Sequence, residues 1–377
     1  MKREYSLVSA DSHVVEPPDL WSKWMPGRYK NHPDTPKLVK DEEGGDAWQF
    51  GAGTPPAPLG IYAAAGKAPE HIKWTGARYE TIMPGMFQGS ERLKEQDADG
   101  VDGEVIFGSS RPMGLFLRHK DRDFHLAGFQ AFNDFVIKDF CAADPSRLAA
   151  LAYIPGLGTE TALAELRRTQ AMGAKGVVLM CWPSGNDRLS REDDPFWAAC
   201  EELDVPVAIH VRLISVNSAP PPPTGKQGGT LPGLATTGML DMPAVIAELI
   251  FSGVPDRFPR LRFGFTEAGA GWVPYLLEQM DDRYWRNRHW TKCELQMLPS
   301  EYFYRNCRIT FMIDGYAIRN RYACGVESLM WSTDYPHHGT DWPYSRKVVR
   351  EAFIDVTRDE RQRILAQNCV ELYHLAD

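Results

Sequence analysis

Tyr5-Ser-Leu-Val-Ser-Ala-Asp11-Ser-His13 opens the chain with a short apolar run that ends on a carboxylate and an imidazole. The pattern returns at Val205-Pro-Val-Ala-Ile-His210 and at Leu329-Met-Trp-Ser-Thr-Asp334. Side chains delivered at the same end of several strands meet around one rim, and imidazole mixed with carboxylate is a donor set for hard and borderline metals. Working outward, β-branched and apolar runs at 5–11, 103–109, 148–154, 176–182, 205–211, 261–267, 308–313 and 328–334 predict eight strands. Most lack apolar/polar alternation, as strands buried on both faces do. Amphipathic stretches at about 91–98 and at 121–143, 159–172, 194–203, 242–253, 272–288, 316–323 and 344–354 predict the helices between them. Strand and helix alternating eight times predict an α/β fold, a (β/α)8 TIM barrel.

Composition narrows the partners. The 377 residues carry 42 Lys and Arg against 50 Asp and Glu, a net charge of -8 with no basic stretch for nucleic acid. Seven cysteines without a Cys-x-x-Cys pair suit a reducing compartment better than a disulfide framework. The first residues, Met-Lys-Arg-Glu-Tyr-Ser-Leu-Val, hold charge but no apolar signal core, and no window reaches the ~18 apolar residues of a membrane span. The expectation is a soluble, cytoplasmic protein that binds a small molecule and neither nucleic acid nor membrane.

Two segments interrupt the repeat. Residues 14–90 are rich in Pro, Gly and Trp, and residues 212–238 contain a run of four prolines followed by Gly-Lys-Gln-Gly-Gly. Both leave C-terminal strand ends, where barrel active sites lie, so they are expected to be long loop insertions after strands 1 and 5 that act as lids. On this reading 1–377 is a single barrel domain.

Four stretches carry a resemblance: Asp11-Ser-His13-Val-Val-Glu16-Pro, Ala208-Ile-His210, Phe258 to Pro274 with Glu267 at its centre, and Ser332-Thr-Asp334-Tyr-Pro-His337. With Ile364 to Tyr373 as a closing helix, the chain resembles the amidohydrolase-related metal enzymes grouped with aminocarboxymuconate semialdehyde decarboxylase. That resemblance implies a TIM barrel, a divalent metal, a homo-oligomer, and either hydrolysis or nonoxidative decarboxylation. His13 and His210 are then metal ligands, and Asp334 either ligates the metal or takes a proton from its water. The family's usual first-strand pattern is His-x-His, with Glu-x-His in some decarboxylases. Here Val15 cannot ligate, and the surviving pair is Asp11 and His13. Residues i and i+2 of a strand share a face, so Asp11 is either a ligand or the group that orients His13. Glu16 is a further candidate in the following loop.

Glu267 stands where decarboxylases of the family place a histidine. A carboxylate there can serve as general acid or base, or bind a second metal. This departure favours a metal-dependent hydrolase, with water activated for attack on an amide, ester, thioester or lactone carbonyl. The alternatives are decarboxylation of an aromatic or unsaturated acid, and an inactive barrel that only binds. The donor set suits a divalent transition metal, zinc first, with manganese or iron also matching. His337, which matches the family's Asp-Tyr-Pro-His pattern, is a catalytic candidate expected to contact substrate or to hold a bond behind the ligands, with His338 beside it. Arg111 and Arg212 follow strands 2 and 5 and are candidates to pair with a substrate carboxylate. Trp342, with Trp21, Trp24, Trp182 and Tyr335, is expected to form an aromatic wall for an aromatic or apolar acid or acyl derivative. Lys175 precedes its strand and should lie at the opposite end of the barrel.

Overall fold

The computed structural model describes residues 3–214 and 231–376. Eight parallel strands follow one another in chain order around a barrel. They are β1 (Val8–His13), β2 (Gly103–Phe107), β3 (Leu148–Tyr153), β4 (Gly176–Leu179), β5 (Val207–His210), β6 (Phe263–Thr266), β7 (Cys307–Phe311) and β8 (Leu329–Trp331). Almost every strand residue is buried, because the barrel interior fills one face and the helical layer covers the other. The expected TIM barrel is therefore what the chain forms.

Closure comes from the segment just beyond β8. The Thr333 N–H donates to Ser9 Oγ at 3.0 Å, the Asp334 N–H to the Asp11 carbonyl at 2.9 Å, and the His13 N–H to the Tyr335 carbonyl at 2.5 Å. The last seam of the barrel is thus made by the peptides that carry the candidate ligands. At the opposite end, Tyr373 of the closing helix Asn368–Tyr373 is fully buried. Gly264 of β6 makes room for it, since a Cβ there would stand 2.5 Å from the Tyr373 hydroxyl. Lys175 lies at that end too, donating to the His374 carbonyl at 3.0 Å.

Between β1 and the helix Gly89–Asp99, the chain builds a small antiparallel sheet from Lys37–Lys40, Asp46–Gln49 and Ala57–Pro58. The N–H groups of Ala64 and Ala65 both donate to the Pro336 carbonyl at 3.0 Å, fastening this segment over the loop after β8. Of the expected second lid, 212–238, residues 215–230 lie outside the described residues. Its remainder includes the short helix Leu231–Ala235 and Gly238. Gly238 has φ +72° and lies so close to the Glu267 carbonyl that a Cβ would stand 2.2 Å from it. Only glycine combines that backbone with that approach. No helix among the described residues is long and apolar enough to cross a membrane.

Candidate metal centre

Three residues at the strand ends adopt left-handed backbone: Val211 after β5 (φ 60°), Glu267 after β6 (φ 54°) and Asp334 after β8 (φ 52°). For non-glycine residues, above all a β-branched valine, this conformation costs of order 1–3 kcal/mol. Each is clamped by its own N–H: Val211 to the Thr266 carbonyl at 3.0 Å, Glu267 to Thr310 Oγ1 at 2.9 Å, Asp334 to the Asp11 carbonyl at 2.9 Å. The sharp turns end the strands, and the His210, Glu267 and Asp334 side chains all line the same cavity.

There, His13 Nε2 lies 3.3 Å from Asp11 Oδ1 and 3.3 Å from Asp334 Oδ1. His210 Nε2 lies 3.2 Å from His13 Nε2, 3.5 Å from Asp11 Oδ1 and 3.6 Å from Glu267 Oε2. The far nitrogen of His13, Nδ1, faces the Gly108 carbonyl at 3.3 Å, which fixes the ring with Nε2 toward the centre. Donor atoms of Asp11, His13, His210 and Glu267 therefore lie within 4.8 Å of one another, and those of His13, Asp334 and His337 form a second such group that shares His13. Both oxygens of Asp11 and Oδ1 of Asp334 are buried without an aligned donor. Burying carboxylates in this way is costly unless a cation compensates. Ligands 2.0–2.2 Å from a tetrahedral zinc stand roughly 3.3–3.6 Å apart, close to the separations found here. The residues fit a divalent metal.

The electrostatics agree. Burial pushes the His13 imidazole down, but Asp11 and Asp334 outweigh it and lift it to about 10, so positive charge is favoured between those carboxylates. Burial raises the Asp11 and Asp334 carboxyls, yet the facing imidazoles outweigh this and hold both below the ordinary range. Glu267 is shifted the other way. Its side chain keeps 23 % of its surface open to the cavity, but burial of the carboxyl with Asp334 and Asp11 nearby raises it well above the usual range. His337 stacks on His13 with ring centroids 4.0 Å apart and holds Nδ1 3.0 Å from Asp334 Oδ1. Burial nevertheless keeps it down at about 4, a neutral imidazole beside a charged carboxylate.

The cluster forms one wall of a cavity of about 240 Å³. Tyr62 from the 14–90 segment, Ser109, Ser110, Tyr153, Val178, Met180, Arg212, Leu234, Thr237 and His338 complete much of its lining. Not every expected residue reaches it. Arg111 lies behind the wall, stacked 3.7 Å from the Tyr62 ring centroid and donating to the Pro58 carbonyl at 3.0 Å. Trp342 gives its indole N–H to the Glu95 carbonyl at 3.0 Å and packs against Gly66, joining the 14–90 segment to the barrel. The expected aromatic wall is not formed: Trp21, Trp182 and Tyr335 are buried, and neither Trp24 nor Trp342 lines the cavity. Tyr62 and Tyr153 take that place. Tyr62 sits in a segment without periodicity and carries no sequence signal, whereas Tyr153, Ser109 and Ser110 follow the strand-end rule. Glu16 is buried behind the site near Arg111 and Ser109, outside the converging group.

Fold and site together define a barrel enzyme built for a divalent metal. Residues 117–375 match the amidohydrolase family, and the chain belongs to it. It is 25 % identical over 299 residues to a gamma-resorcylate decarboxylase from Rhizobium sp. (strain MTP-10005), covering 72 % of this chain and 85 % of that protein. Among solved structures, an amidohydrolase from Mycobacterium avium subsp. paratuberculosis K-10 superposes with a TM-score of 0.76 at 17 % identity, over 98 % of this chain and all of that one (100 %). A 5-carboxyvanillate decarboxylase from Novosphingobium aromaticivorans DSM 12444, complexed with manganese and a nitrobenzoic acid, superposes with a TM-score of 0.65 at 17 % identity, over 98 % and 96 %. The hydrolase expectation is corrected by these relatives: the curated ones are named as decarboxylases, not hydrolases. Reading Glu267 as a sign of hydrolysis gave one carboxylate too much weight, because a buried acid can protonate carbon as well as manage water.

Proposed function

We propose that the protein is a metal-dependent nonoxidative decarboxylase of an aromatic carboxylic acid. The observation that carries this is the approach of His13 to Asp11 and Asp334 and of His210 to Asp11, on carboxylate oxygens that lack an aligned donor, in a chain whose relatives are named decarboxylases. Those four residues would hold the metal. Zinc suits their donors first; manganese, named with the Novosphingobium decarboxylase, and iron match as well. When bound, the metal would supply a Lewis acid that draws in the substrate carboxylate with an adjacent oxygen and steadies their negative charge.

The chain's own groups do the rest. Tyr62 and Tyr153 give a flat ring two aromatic faces, and Arg212 at the cavity rim offers its guanidinium to the incoming carboxylate. His337 braces Asp334 while lying flat on His13. In the reaction the bond between ring carbon and carboxyl carbon breaks, its electron pair stays on the ring carbon, and carbon dioxide leaves. The ring carbon takes a proton. Glu267 faces the cavity beside His210 and is the group we assign to deliver it, regaining its own proton from solvent. Asp334, held ionised, keeps its charge beside the acid and orients it. Segment 14–90 serves as a lid that keeps water away, and Leu234 and Thr237 from the described end of the second segment add to the cavity wall, on one barrel domain spanning 1–377.

The test is isotopic. In D2O the product should carry one deuterium at the carbon that lost its carboxyl. Glu267→Gln should lower turnover by about 100-fold or more at unchanged metal content. Undiminished turnover in that variant would remove Glu267 from the proton's path.

A further inference from the structure

A second chamber of about 210 Å³ lies against the same groups from another side. It shares Leu234, Thr237, Glu267, Asp334 and His338 with the main cavity, so the two spaces border the same five side chains, the assigned proton donor among them. Its outer wall is Phe311 at the end of β7, followed by Met312 and Ile313. Gly339 lies at its floor, where a Cβ would come into ordinary contact with Met312 Cε at 3.4 Å and Asp334 Oδ2 at 3.7 Å. Ile313 is 68 % exposed and Leu234 38 %, so two large apolar side chains stand in the open where this space reaches the surface. Small-molecule sites usually occupy about 300 Å³ or more, above the 240 Å³ of the main cavity. A single hydroxylated ring would leave the second chamber unused.

We infer that the substrate is an aromatic acid bearing an apolar arm, an alkyl or aryl substituent that crosses beside Glu267 into the Phe311, Met312 and Ile313 chamber. This rests on the decarboxylase reading for the acid head group, while the arm's site is defined by its lining. Burying each methylene of such an arm is worth about a three- to fourfold gain in affinity.

The probe is a series of alkylphenols, from phenol to hexylphenol, titrated calorimetrically into the metal-loaded full-length protein. Affinity should climb about tenfold for every two methylenes and then level off as the chamber fills. Gly339→Val and Ile313→Trp should each erase the climb and leave phenol itself bound as before. A flat series, or a climb that survives in both variants, would overturn the inference. The matching alkylated hydroxybenzoates separate the two claims. If long phenols bind as expected but no acid releases carbon dioxide, the arm's site stands and the decarboxylase reading falls. If unsubstituted acids are decarboxylated with no preference for length, the decarboxylase reading stands and the arm's site falls.

Discussion

At the scale of single residues, the site is a set of charges arranged so that only a cation completes it. His13 and His210 present nitrogens 3.2 Å apart, and no tautomer of two neutral imidazoles protonates every acceptor around them. Disturbing even a partner of a metal ligand typically loses 10–100-fold in metal affinity, so removing a ligand should lose at least about tenfold. His210→Ala, dialysed beside the parent protein and assayed by elemental analysis, should retain far less metal with unchanged circular dichroism. Equal metal in the two would mean the ligand set is wrong. Asp11, His13, His210, Glu267 and Asp334 were legible in the sequence because each ends or follows an apolar run, and a barrel sends such groups to one rim. Arg111 and Trp342 were misread for the opposite reason. Both sit beyond the regular strands, where sequence does not say which way a side chain turns; Arg111 Nη1 turns to the Pro58 carbonyl and the Trp342 indole N–H to the Glu95 carbonyl.

At the scale of elements, the rim depends on how β1 and β2 are braced from below. Arg92 of the helix Gly89–Asp99 is buried, with Nη1 donating to Glu104 Oε2 at 2.9 Å, Nη2 to the His13 carbonyl at 2.5 Å and Nε to the Gly85 carbonyl at 2.8 Å. One guanidinium thus ties the 14–90 segment, the ligand-bearing strand and β2 together, and its face covers the Tyr335 ring at 4.4 Å. Arg92→Met leaves Glu104 buried with only Gln96 and Ser12 as donors. Removing one partner of a buried ion pair costs about 3–5 kcal/mol. The urea midpoint of Arg92→Met should fall accordingly, and Arg92→Met combined with Glu104→Gln should recover part of the loss; a single variant within 1 kcal/mol of the parent, on the order of a surface pair, would contradict this brace. The eight strands were readable because each is a short apolar run, although β1 extends two residues past its expected end to include His13. The helix Ser110–Leu117 was not, since Pro112 and Gly114 argue locally against it while the Ser109 hydroxyl caps it, accepting from the Arg111 N–H at 3.3 Å.

At the scale of the whole molecule, the barrel sets where chemistry occurs and the loops set what it acts on. The first was open to sequence reasoning. The second was not, because Tyr62, Leu234 and Thr237 come to the cavity only through the packing of long segments on the rim. Between hydrolysis and decarboxylation the strand-end residues alone did not decide, since one metal with two acids serves either. The proposed reaction of this rim is the removal of a carboxyl group from an aromatic ring. It is tested most directly by incubating the metal-loaded protein in ¹⁸O-labelled water with hydroxybenzoates labelled with ¹³C in the carboxyl group. Release of ¹³C-carbon dioxide that stops on chelation, with no ¹⁸O in the aromatic product, is the predicted result. A panel in which no acid releases labelled carbon dioxide, while ester or amide analogues take ¹⁸O into their acids, would contradict it.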